Sequence, residues 1–272
     1  MNLVMKVAAV AVAVVAAMAV FPLLTGRSDG VEIIHYGPDD EQFIGLVYAG
    51  WDRLAIYVHG GAFVTGSAFG RHWPTIRDFF LERGYNVATV EYRKCTECPF
   101  DDVISDIHEG VVTAVEEVNS RRPQVQVVYV GFSAGATAGG ILLLGNCSFS
   151  IDEDIKYYVW LSGVYNFNQP NVRNASSRCR NILNYTVYTK NVSGDVHVFM
   201  AEGTNDSFDQ YPLTNQSHLE YMRAILESKG AEVWAFWMEG PHPVTINVFT
   251  DPEYVELLEE FLGITVPEFM MR

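Results

Sequence analysis

The chain has 272 residues, and its first two dozen are almost wholly apolar. Roughly 245 residues remain to fold, enough for one large α/β core, the simpler expectation, or two small ones. Hydrophobic residues at 49% and charged residues at 19% exclude a disordered tail, a collagen or a coiled coil. The formal charge of −15, from 18 Lys and Arg against 33 Asp and Glu, repels phosphate backbones, so no nucleic-acid partner is expected.

Residues 1–24 read as a signal peptide or a signal anchor. Residues 7–24 carry no charge, and as a helix of about 27 Å they would just cross a bilayer core, so membrane contact through them is open. The small residues Ala17 and Ala19 offer a cleavage site, and Pro22 weakens the helix near its end. Residues 25–30 are expected to form a polar linker, and 31–272 one folded domain. Either membrane reading puts that domain in the secretory pathway, secreted or anchored. Six Asn-X-Ser/Thr sequons, at Asn146, Asn174, Asn184, Asn191, Asn205 and Asn215, fit export. Four cysteines in an oxidising compartment allow two disulfides, and the expectation is a local Cys95–Cys98 bond with Cys147–Cys179 as the other. A CxxC without a second pair or a His pair argues against zinc.

In chain order, residues 31–36 and 42–48 read as an opening hairpin of edge strands with its turn at 37–40. Mostly apolar runs at 54–58, 86–92, 126–130, 157–161, 196–200 and 233–238 fit strands buried on both faces of a parallel sheet. Amphipathic helices are expected at 73–83, 100–118, 134–144, 216–229 and 251–262. The connection 162–195, between the sixth and seventh strands, lacks periodicity and reads as a small cap or binding loop.

The strand at 126–130 runs into Gly131-Phe132-Ser133-Ala134-Gly135 and then into small residues, the pattern of a nucleophile elbow. Glycine is needed at Gly131 and Gly135 because neighbouring chain passes too close for a Cβ. The strand at 54–58 ends in His59-Gly60-Gly61-Ala62-Phe63, a loop whose backbone N–H groups suit a developing oxyanion. Gly61, Ala62 and Ala134 are the expected donors, with Gly60 in support and His59 bracing the loop. Farther on, Asp206 follows the strand at 196–200 and His242 follows the strand at 233–238, giving the order Ser, Asp, His. Asp209 is the rival acid, set farther from its strand end. All these features fall at carboxyl ends of parallel strands, where open sheets bind ligands.

This combination resembles the α/β-hydrolase superfamily, in particular esterases of the hormone-sensitive-lipase and carboxylesterase-like group. The resemblance covers about residues 54–262. It implies a mostly parallel sheet of about eight strands flanked by helices, with Ser133, Asp206 and His242 as a catalytic triad and no metal or organic cofactor. Glu91-Tyr92-Arg93 and Asp106 look like that group's structural segment. Two departures stand out: Ala62 replaces the third glycine of the usual loop, and Pro243 after His242 biases that histidine toward extended angles. The implied activity is hydrolysis of a small-molecule ester of small or medium size. Arylformamidase or prenylcysteine methylesterase chemistry, or a hydrolase fold reduced to a binding module, are the alternatives. A glycan at Asn205, beside the acid, would crowd the site, so that sequon is expected to be unmodified or to limit substrate size. Oligomeric state is left open.

Overall fold

β-Branched and aromatic runs assemble into a single sheet, ordered β1-β2-β4-β3-β5-β6-β7-β8, in the computed structural model. The strands are β1 Glu32–His35, β2 Phe43–Val47, β3 Arg53–Val58, β4 Asn86–Val90, β5 Gln126–Phe132, β6 Tyr157–Leu161, β7 His197–Gly203 and β8 Glu232–Met238. The structure describes residues 30–124, 126–151, 155–167, 169, 172, 178–179, 181–192, 195–209 and 217–264. The apolar segment 7–24, most of the linker, and the sequons at Asn174 and Asn215 lie outside the described residues. Among the described residues no helix is long and apolar enough to cross a membrane. One compact unit runs from Glu32 to Arg272.

Strands β3 to β8 are parallel, and β1 and β2 are antiparallel additions. The hairpin differs from expectation in one respect. β1 is an edge, but β2 pairs with β4 through Ile44 opposite Val90, so Ile44 and Leu46 are fully buried. Alternate residues of each inner strand feed opposite faces, as the two-residue period requires. Leu54, Ile56 and Val58 pack on one side with α2 (Phe100–Arg121), α3 (Ala134–Leu144) and α5 (His218–Ser228). Ala55 and Tyr57 pack on the other with α1 (Trp73–Glu82), a 3₁₀ helix His242–Phe249 and α6 (Pro252–Phe261). A short helix, α4 (Ile182–Tyr185), lies within the connection between β6 and β7.

The chain leaves β3 for β4 on one side, then returns through α2 to β5 on the other side of β3. The connections diverge where β3 and β5 end, which opens a crevice at that rim of the sheet. The glycine loop at 59–66 and Ser133 sit at those two strand ends.

The expected disulfide pairing is corrected. Cys95 bonds to Cys179, with Cα atoms 5.1 Å apart, and Cys98 and Cys147 are free thiols. The turn that follows Lys94 aims the Cys98 sulfur back at the Lys94 carbonyl, 3.5 Å away. Cys147 lies at the end of α3 with its sulfur 3.3 Å from the Phe149 carbonyl. Neither thiol faces its expected partner.

Candidate active site

Ser133 stands between β5 and α3 with φ 52° and ψ −113°, a conformation a side chain tolerates only when its surroundings impose it. The surroundings are backbone. A Cβ on Gly131 would sit 2.5 Å from the Ala136 nitrogen, and one on Gly135 would sit 2.0 Å from the Val58 carbonyl oxygen. The glycines let α3 start hard against the ends of β5 and β3. The Ser133 N–H continues the sheet ladder by donating to the Leu161 carbonyl at 2.8 Å.

His242 opens the 3₁₀ helix after β8. Its Nδ1 donates to Asp206 Oδ2 at 2.5 Å, and its Nε2 is 2.9 Å from Ser133 Oγ. With the proton of the ring on Nδ1, facing the carboxylate, Nε2 offers its lone pair to the serine hydroxyl. Pro243 does not hold the histidine in an extended segment. It occupies the first turn of the 3₁₀ helix, where a missing N–H costs nothing. The His242 carbonyl accepts from Ser162 Oγ at 2.6 Å, and Ser162 Oγ is 2.9 Å from Thr245 Oγ1. Ser162 was not anticipated. Its signal was its place immediately after β6, in line with Ser133.

Asp206 is buried, and its Oδ1 accepts the Phe208 N–H at 2.9 Å. Asp209 is turned to other work: Oδ1 accepts from the Gln169 amide and Oδ2 from the His218 N–H. Of the two acids, Asp206 is the one beside His242. Asn205 is exposed immediately before it.

The loop after β3 is curled by bonds from the Val64 and Thr65 N–H groups to the Gly61 carbonyl. Gly61, Ala62 and Phe63 all have positive φ, 122°, 53° and 60°. A Cβ on Gly61 would lie 2.0 Å from the Thr65 carbonyl oxygen, so the first of these positions requires glycine. Ala62 adopts the left-handed region in place of the third glycine, and the Cys95 N–H holds the next carbonyl, of Phe63, at 2.8 Å. Gly61, Ala62 and Ala134 line the same cavity as Ser133 and His242. Gly60 presses on Phe132 and Ser133, where a Cβ would sit 2.9 Å from the Ser133 Cβ.

His59 braces this loop. Its Nε2 pairs with Glu91 Oε1 at 3.1 Å, and its ring stacks on Tyr92 at 4.3 Å. Burial raises the Glu91 pKa, but the bonds from His59, Lys94 and the Ala68 N–H outweigh it and draw the carboxyl down to about 2. Arg93 and Gln42 both bind Asp106, which ties the end of β4 to α2 and to the hairpin. His72 lies near the triad, its ring 4.6 Å from Phe132. Burial, the neighbouring Arg71 and His242 hold it down to about 4, so it adds no positive charge there.

The cavity measures about 340 Å³ and is walled by apolar side chains, among them Phe63, Phe132, Val164, Phe167, Ile182 and Phe208. Cys179 also lines it, so the disulfide links the connection between β6 and β7 to the segment that holds the Ala62–Phe63 turn. Among the described residues no group of three His, Cys, Asp or Glu side chains is placed to hold a metal ion.

A nucleophile elbow, a glycine loop and a His–Asp pair sit on the carboxyl rim of this sheet, the arrangement of the α/β-hydrolase fold. Solved structures share the fold. Esterase B from Lactobacillus rhamnosis, inhibited by a tributyrin phosphonate, is 16% identical with a TM-score of 0.64, covering 97% of this chain and 96% of that one. Thermogutta terrifontis esterase 2, phosphonylated by sarin, is 15% identical with a TM-score of 0.68, covering 88% and 97%. Residues 50–174 match the family model described as BD-FAE. The probable isoprenylcysteine alpha-carbonyl methylesterase ICME of Oryza sativa subsp. japonica is 31% identical over 124 residues, which cover 42% of this chain and 29% of that protein. The matched stretch thus spans under a third of the rice protein. The chain has the fold of these esterases.

Proposed function

We propose that the protein is a serine carboxylic ester hydrolase acting on small or medium esters with an uncharged, apolar acyl or alcohol part. The observation that carries this reading is the continuous chain from Asp206 through His242 to Ser133, opening on an apolar cavity. Ser133 Oγ attacks the ester carbonyl while His242 Nε2 takes its proton, and Asp206 stabilises the imidazolium. The tetrahedral intermediate collapses with loss of the alcohol, which receives that proton, and leaves an acyl-enzyme. Water repeats the sequence to release the acid. The N–H groups of Gly61, Ala62 and Ala134 hold the oxyanion, each worth on the order of 2.7–4 kcal/mol where such donors have been removed. The cavity lies at the small end of the range for ligand sites, about 300–1,000 Å³, which favours short chains.

The rice relative favours a second reading in which the substrate is the methyl ester of a prenylated cysteine. The same chemistry applies, with methanol as the leaving alcohol. Export of the domain belongs to the proposal as well. It is supported by the apolar residues 7–24 and by the exposure of Asn146, Asn184, Asn191 and Asn205.

The test is fluorophosphonate labelling of wild type and Ser133→Ala, with turnover of p-nitrophenyl esters of increasing chain length and of a prenylcysteine methyl ester. Labelling is expected only in wild type, with the variant slower by about 10⁴-fold or more. Full hydrolysis by Ser133→Ala, or no labelling of folded wild type, would overturn the proposal, the latter in favour of a binding module. Preference for the prenylcysteine ester would select the second reading.

A further inference from the structure

His218 lies outside the triad yet is fully buried, at the first turn of α5. Its Nδ1 is 3.0 Å from the Asn166 N–H and 3.3 Å from the Tyr165 N–H. Those groups only donate, so Nδ1 accepts. Its Nε2 is 3.0 Å from the Phe208 carbonyl oxygen, which only accepts, so Nε2 carries the proton. The partners therefore fix one neutral tautomer. Phe208 carries the constraint onward. Its N–H donates to Asp206 Oδ1 at 2.9 Å, and its ring lies 4.9 Å from the His242 ring and lines the cavity.

We propose that His218 is a positioning residue for the hydrolysis described above. Through Phe208 it sets the triad carboxylate and a wall of the cavity together, and through Tyr165 and Asn166 it ties both to the base of the connection between β6 and β7. The proposal rests on the ester-hydrolase reading for its kinetic consequences, although not for its geometry.

The groups around His218 keep it neutral. Asp209, on the loop after β7, spends Oδ2 on the His218 backbone N–H at 3.1 Å. Glu202, at the end of β7, accepts the Leu219 N–H at 2.7 Å and shares a hydrogen bond with the Asp209 carboxyl. Burial, first, and the charges of Asp209 and Asp206 push the Glu202 pKa well up. For His218 itself, burial lowers the pKa, Asp209 and Asp206 oppose this, and His242 adds to it, with a net fall. An imidazolium at this position would aim an N–H at two other N–H groups.

A histidine that only filled space would be replaced by any ring of similar size, and that difference provides the experiment. Three variants of the full chain are compared: His218→Phe, which makes neither set of bonds, His218→Asn, whose Oδ1 can replace the acceptor toward Tyr165 and Asn166, and His218→Gln, whose Nε2–H can reach the Phe208 carbonyl. Measured are kcat and KM on the best ester of the panel, melting temperature, and the low-field proton resonance of His242 Nδ1–H in substrate-free protein. The Phe and Asn variants are expected to lose kcat by about tenfold and to shift or broaden that resonance, with the Gln variant restored to within about twofold. Unchanged kcat and resonance in the Phe and Asn variants, or an equal loss in all three that follows melting temperature, would overturn the inference. Should wild type turn over no ester, the hydrolase reading fails by itself, and the resonance still decides the role of His218.

Discussion

The disulfide offers a test with a magnitude attached. Cys95 and Cys179 are 84 residues apart in sequence, and the chain-entropy model assigns closure of a loop that long about 4.5 kcal/mol. The rival Cys95–Cys98 bond closes a ring of four residues, worth about 2 kcal/mol in the same model. Cys95→Ala with Cys179→Ala is therefore expected to destabilise the domain by up to about 4.5 kcal/mol. At about 2–4 °C per kcal/mol for a domain of this size, melting should fall by about 9–18 °C. Function should respond as well, because the bond joins the segment that holds the Phe63 carbonyl to a residue lining the cavity. KM for the longer esters should rise more than kcat falls. The assays are thermal melting with and without a phosphine reductant, a non-reducing peptide map, and ester kinetics on the double variant. A map linking residue 95 to 98, or melting indifferent to reductant and to the double substitution, would refute the reasoning.

Gly135→Ala should act as a steric probe of the elbow. Although alanine favours helices, its Cβ would meet the Val58 carbonyl oxygen at 2.0 Å, and α3 must shift with Ser133 at its head. A loss in kcat/KM on the order of 100-fold is expected from a displacement near 1 Å, with about 1–3 kcal/mol of destabilisation from overpacking. Steady-state kinetics and urea unfolding check both, and near-wild-type activity would show that the helix start is looser than described. For pH, Glu91 is the group to follow. Its carboxyl is held down to about 2, so its contribution is complete above the unfolded value of 4.5 and is lost as pH falls toward 2. The penalty of Glu91→Gln in urea unfolding should therefore shrink by about 2 kcal/mol between pH 6 and pH 3. A penalty that stays constant over that range would contradict the assigned partners.

What could be read from the sequence was whatever local chemistry dictates. The run 157–161 and the helix 134–144 are found where apolar periodicity put them, and Gly131 and Gly135 are required by contacts made within a few residues or at the next strand. The hairpin was legible but not its place in the sheet, because β2 is covered by pairing with β4, some 40 residues away. Cysteine pairing failed for the same reason: sequence spacing favours the near partner, whereas the fold brings residue 179 beside 95. Helix α2 runs on to Arg121, past the expected stop at 118, where Arg121 binds both Glu117 and Glu32. Choosing between Asp206 and Asp209 from distance to the strand end pointed to the residue that meets His242, but the use of Asp209 in holding α5 was invisible. Ser162, Glu202 and His218 are single polar residues without a local pattern, and only the assembled sheet explains them.

That explanation is one of register. Phe132 pairs with Leu161, Leu161 with Ala201, and Ala201 with Phe236, so the last apolar row of the sheet crosses four strands in step. The next residues along β5, β6 and β7 are Ser133, Ser162 and Glu202. The Ser133 N–H donates to the Leu161 carbonyl and the Ser162 N–H to the Ala201 carbonyl, each at 2.8 Å, so the ladder extends one step beyond the apolar row. Ser133 and Ser162 both have positive φ, 52° and 51°. Each polar side chain of this row then meets a different requirement: Ser133 Oγ meets His242 Nε2, Ser162 Oγ holds the His242 carbonyl, and Glu202 caps α5 beside His218. A slip of one residue in any of these strands would exchange its two faces and place an apolar side chain in the row. The burial that fixes the register of the core therefore also fixes the geometry of the triad, and the site inherits its order from the packing beneath it.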